Sequence, residues 1–171
     1  MPRPFCFFGA MLAMTISRRI AFGNLIINSG FESGDSGFTS EFTSAPADGD
    51  PSDDLVPPDV YKVLTDPSDA NASAESYGDH TTGSGLMMAV NGTETAAGQL
   101  VWSQTVSVST NTTYDFSMWV STWSMFGPSS LDVLFNGDLA LSFLSPGTAA
   151  EWANETTTWD SGMATSLTID I

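Results

Sequence analysis

The residues from Tyr77 to Gly85 (Tyr-Gly-Asp-His-Thr-Thr-Gly-Ser-Gly) gather the side-chain types that do chemistry, and they hold the only histidine of the chain. A nucleophile–histidine–acid triad would need His80 within hydrogen-bond reach of a hydroxyl and an orienting carboxylate. Asp79 is its chain neighbour, and in an extended segment neighbours point to opposite sides. No Gly-x-Ser-x-Gly elbow occurs, and no spacing singles out a catalytic pair among the 20 acids. An enzyme is therefore not expected. One histidine and the single Cys6 do not make a zinc site. Calcium needs only carboxylates, carbonyls and hydroxyls, so Asp79 beside Thr81 and Thr82, and Glu32 in Gly30-Phe31-Glu32, are candidate metal ligands. The competing reading is that Asp79 satisfies amides of its own loop and that His80 is a half-buried ring.

A second constellation suits sugar binding. Trp119 and Trp123 share the parity of Asp115, Ser117 and Ser121, opposite an apolar face formed by Tyr114, Phe116, Met118 and Val120. On one strand the two indoles would lie roughly 13 Å apart on one surface. Aromatic faces with polar neighbours are what a sugar site uses, which makes Trp119, Trp123 and Asp115 candidate ligand contacts. The alternative is that acidic loops cover this face and bury both rings. Trp102 falls on a core parity. Trp152 and Trp159 have opposite parities, so one of them is expected to face outward.

The elements that must carry these residues are strands. Residues 98–109 and 113–123 alternate apolar and polar with period two, the pattern of half-buried antiparallel strands. Leu86–Val90, the runs either side of Asn136-Gly137, Trp152–Trp159 and Thr165–Ile171 supply more strands. Asn24–Asn28, Phe38–Phe42 and Asp59–Leu64 read as shorter ones. Asn136-Gly137 is a hairpin signal. Residues 45–58 and 65–76 are rich in Pro, Asp, Ser and Gly and read as surface loops. No helix of ordinary length is expected after residue 24. Strands at this spacing predict a single all-β domain, an antiparallel β-sandwich of jelly-roll type.

Charge narrows the partners. The chain has 20 acids against 4 bases, and Lys62 is the only base after residue 19. Such a surface repels nucleic acid and anionic membrane and attracts divalent cations. The N-terminus has a basic start and an apolar run over residues 4–16, then Ala21-Phe22-Gly23. This resembles a signal peptide over residues 1–23, with the domain over 24–171 and no stable membrane insertion. Secretion to the extracellular space or cell surface is the expectation. Asn71, Asn91, Asn111 and Asn154 each open a glycosylation sequon.

Asn24-Leu25-Ile26-Ile27-Asn28-x-Gly30-Phe31-Glu32, Gly78-Asp79-His80-Thr81-Thr82-Gly83-x-Gly85, Trp102-Ser103-Gln104-Thr105-Val106 and Thr113-Tyr114-x-Phe116-x-x-Trp119-Val120 together resemble secreted bacterial domains of the galactose-binding-like superfamily. These are jelly rolls related to carbohydrate-binding modules, many with a C-terminal Pro-Glu-Pro sorting tail. Similar marks occur in adhesion-type MAM domains. The resemblance covers residues 24–171. It implies a sandwich with a structural calcium near the first strand, to which Glu32 contributes and which an acid from a final strand completes. That strand, with its Asp-Asp pair, and the sorting tail are absent from this sequence, so the jelly roll is expected to lack its last strand. The expected function is non-catalytic binding of a polysaccharide or glycan at the cell surface or in the extracellular matrix. The alternative is a structural or adhesive surface protein without a sugar site.

Overall fold

The computed structural model describes residues 13–18, 23–45, 53–92 and 98–171. Ten strands run in chain order: β1 (Ala13–Arg18), β2 (Thr43–Ser44), β3 (Val60–Leu64), β4 (Met87–Asn91), β5 (Ser103–Ser107), β6 (Thr113–Ser121), β7 (Ser130–Phe135), β8 (Asp138–Leu144), β9 (Trp152–Asp160) and β10 (Ser166–Asp170). They form three sheets, ordered β1-β6-β9, β5-β10-β7-β8 and β2-β3-β4. All pairs are antiparallel except β2 with β3.

Period two explains how the first two sheets meet. One face of β6 presents Tyr114, Phe116, Met118 and Val120, all buried. They join Leu131, Val133 and Phe135 of β7 and Leu167 and Ile169 of β10 in one core. Phe116 meets Phe135 edge-on at 5.5 Å between ring centres. Two sheets burying their apolar faces against each other make a β-sandwich, as the alternation predicts. Asn136 and Gly137, both with positive φ (53° and 86°), form the tight turn joining β7 to β8.

The third sheet joins the same core. Met88 and Val90 of β4 enter the main core, with Tyr61 and Val63 of β3 packed against it. Val60, Leu64 and Ala89 form a smaller cluster with Leu55 and Ala70 from the loops. The loops predicted over residues 45–58 and 65–76 therefore supply core side chains where the structure describes them.

Two short strands expected from the sequence do not form: of residues 38–42 only Thr39 pairs, in an isolated bridge to Ser103, and β2 begins at Thr43. Residues 24–28 form no strand; Asn24 instead accepts from the amides of Ile16 and Ile26 through Oδ1 and donates Nδ2 to Met14 O. Of the leader-like residues 1–23, residues 1–12 and 19–22 lie outside the described residues, but 13–18 are strand β1. Met14 and Ile16, 1% and 0% exposed, are in the main core. Strand β10 is an inner strand between β5 and β7. Ile171 exchanges backbone hydrogen bonds with Trp102 and accepts from Val101.

Candidate functional site

The outer face of the β1-β6-β9 sheet carries the odd-numbered residues of β6. Pairing sets Asp115 opposite Thr158, Ser117 opposite Thr156, Trp119 opposite Asn154 and Ser121 opposite Trp152. Directly opposed residues of an antiparallel pair share a face. Trp152 is therefore the outward indole of β9, while Trp159 packs inward against Tyr114 and Phe135. Trp119 and Trp152 are both half-buried.

Two loop residues complete a ring cluster. The His80 imidazole stacks on Trp119, with centroids 3.5 Å apart and planes 15° from parallel. It stands edge-on to Trp152 at 5.9 Å, and Tyr77 stands edge-on to Trp152 at 6.1 Å. The two edge contacts to Trp152 are a favoured aromatic geometry, whereas His80 lies face to face on Trp119.

Two carboxylates hold the loop that delivers these rings. Asp66 accepts from Ser68 N, Ser68 Oγ and Ser76 Oγ. Burial opposes ionisation of Asp66, but the Ser76 hydroxyl, Ser68 and the Tyr77 amide outweigh it and lower its pKa. Asp79, 7% exposed, accepts from Thr81 N and Thr82 N through Oδ2, and from Thr82 Oγ1 and Gly85 N through Oδ1. Here too burial pushes upward, and the Thr82 hydroxyl with the amides of Thr82, Gly85 and Thr81 brings the carboxyl down to about 2. Asp79 O also accepts from Gly83 N. A Cβ at Gly78 would overlap the carbonyl of Gly83, so this tight loop requires glycine there. Burial raises the pKa of the Tyr77 phenol; the Ser121 hydroxyl lowers it, and the negative charge of Asp66 adds to the rise.

The structure sorts the sequence candidates. Trp119 faces outward as predicted. Trp123 does not: it is 0% exposed and donates Nε1 to Val90 O at 3.0 Å. The reason is that β6 ends at Ser121. Beyond it the chain is gripped by the amides of Glu75 and Ala150, which donate to Trp123 O and Thr122 O. This turns the indole toward Val90 of β4, and Trp152 rather than Trp123 is the indole beside Trp119 on the outer face. Asp115 shares the outer face but lies four residues along β6 from Trp119, roughly 13 Å away and outside the ring cluster.

Glu32 and Asp79 do come together. Glu32 Oε1 accepts from Leu86 N at 3.1 Å, and the position of a Cβ on Gly85 would lie against both carboxylates. Glu32 Oε1 and both Asp79 oxygens accept from backbone amides. Among the described residues no group of three His, Cys, Asp or Glu is arranged to hold a metal. Asn71 and Asn91 are also sealed, their side-chain amides donating to Leu55 O and to Val56 O and Pro57 O.

Tyr77, His80 and Trp152 were not singled out as ligand contacts by sequence reasoning. Their ring chemistry was legible, but Trp152 needed the β6–β9 register and the two loop rings needed the loop's path. A scan against family models and searches of curated proteins and of solved structures each return no match. No helix among the described residues is long and apolar enough to cross a membrane.

Proposed function

We propose that this protein is a secreted, non-catalytic carbohydrate-binding module of the galactose-binding-like, jelly-roll kind, acting at the cell surface or in the extracellular matrix. The observation that carries the reading is the pair of half-buried outward indoles, Trp119 and Trp152, on one sheet face. Asn154 and Thr156 are exposed on the same face near them and offer an amide and a hydroxyl to the polar edge of a sugar. An apolar aromatic surface next to a few placed polar groups is the chemistry of glycan recognition. The only histidine is stacked on an indole rather than paired with a nucleophile, which favours binding over catalysis.

Retention on a panel of insoluble polysaccharides tests this. Wild type is expected to be retained, and Trp119→Ala and Trp152→Ala to be washed off. Retention of both variants equal to wild type would remove the assignment. The second reading, a structural or adhesive surface protein without a sugar site, draws on the cover that His80 already gives Trp119. It is favoured if no polysaccharide retains any of the proteins.

A further inference from the structure

Trp119 and Trp152 form a corner, and the His80 ring fills it. It lies on the face of one indole and stands 75° from the plane of the other. At 3.5 Å the stack is full van der Waals contact, with no room for another ring between the two. A pyranose makes the same demand: a flat C–H face laid on the indole, with its polar groups at the rim. The imidazole therefore takes the place such a sugar ring would take.

The loop cannot swing clear easily. Asp79, next to His80, is tied through its carboxylate to Thr81, Thr82 and Gly85 and through its carbonyl to Gly83. What can move is the His80 side chain, by rotation about χ1 and χ2. The ring is half-buried and so has a solvent side to turn towards.

We propose that His80 is a built-in occupant of the sugar subsite, covering Trp119 in the free protein and rotating out when a glycan ring takes its place. This rests on the carbohydrate reading above. Apparent affinity then equals intrinsic affinity scaled by the fraction of molecules with the ring turned out. Removing the imidazole tightens binding, the opposite of removing a ligand contact. If about a tenth of molecules are open, His80→Ala gains about tenfold, while His80→Phe stays closed.

Two readouts on the full chain test this. Without any sugar, N-bromosuccinimide oxidation followed by peptide mass spectrometry reports which indoles are accessible. Trp119 is expected to be protected in wild type and in His80→Phe, and oxidised in His80→Ala. Trp102 and Trp123, 1% and 0% exposed, stay protected throughout as a check on folding. Equal oxidation of Trp119 in wild type and His80→Ala overturns the inference, whatever binds. On polysaccharide, His80→Ala is expected to be held about tenfold more tightly than wild type. Weaker retention of His80→Ala, with Trp119→Ala washed off, makes His80 a ligand contact; that overturns the occupant role and leaves the carbohydrate reading standing. Deprotection of Trp119 in His80→Ala with no retention of any protein overturns the carbohydrate reading, and the sugar as displacing ligand with it.

Discussion

The hydrogen bonds around Asp79 favour its ionised form. Its carboxyl titrates at about 2, because the Thr82 hydroxyl and three amides outweigh the opposing cost of burial. An unfolded aspartate titrates at about 3.9. A folded pKa below the unfolded one adds stability that is fully present above the unfolded value and is lost as pH falls through the folded one. Asp79→Asn removes the charge at every pH. The melting temperature of wild type is therefore expected to exceed that of Asp79→Asn by a constant margin above about pH 5. The margin should shrink between about pH 4 and pH 2. A gap that does not change with pH would mean that the hydrogen bonds, not the charge, hold the loop. Asp79 thus acts as a positioning residue, setting the backbone from which His80 reaches Trp119.

Strand β1 shows how far element identity depends on partners. The run Pro4–Ile16 is apolar enough to suggest a leader core, and nothing local to it says strand. The end of that run pairs with β6: Ala13 to Arg18 lie opposite Trp119 to Tyr114 in register, and Ile16 is opposite Phe116. Alternation then follows, with Met14 and Ile16 inward and Thr15 outward. Ile16→Ala is expected to cost about 2–4 kcal/mol by deleting a buried side chain, and Thr15→Ala well under 1 kcal/mol. Urea unfolding of the full chain measures both. Equal, small effects would show that β1 adds little to the folded core. The same dependence on partners moved Trp123. Its parity along β6 promised an outward ring, but parity lapses where the strand ends, and hydrogen bonds from Glu75 and Ala150 reset its direction.

At the scale of the whole molecule the dominant feature is charge, −16 in total. The one base whose side chain is described, Lys62, pairs with buried Asp54. The remaining acids repel one another across the surface. Screening should therefore stabilise the fold, and the melting temperature is expected to rise by several degrees between about 0.02 M and 0.5 M sodium chloride. Calcium chloride at matched ionic strength separates screening from site binding. Because Glu32 Oε1 and both Asp79 oxygens already accept from amides, calcium is expected to match sodium. A larger rise with calcium at sub-millimolar concentration, reversed by a chelator, would mean that a cation binds the folded state specifically.

Composition and period-two alternation were enough to read an all-β sandwich, the β7–β8 hairpin, the apolar face of β6 and the outward side of Trp119. These depend on local geometry: side chains alternate across any strand, and Asn-Gly adopts the tight turn without help. The sequence also marked the Tyr77–Gly85 loop as densely hydrogen-bonded, because Asp, Thr and Gly at that spacing can satisfy one another within the loop. Tertiary structure alone decided the rest. The β6–β9 register brought Trp152 beside Trp119 across more than thirty residues of chain. The path of the loop laid His80 on the indole, and the end of β6 sent Trp123 into the core. Each of these is a contact between residues far apart in sequence, and neither propensity nor periodicity carries information about which distant surface a side chain will meet.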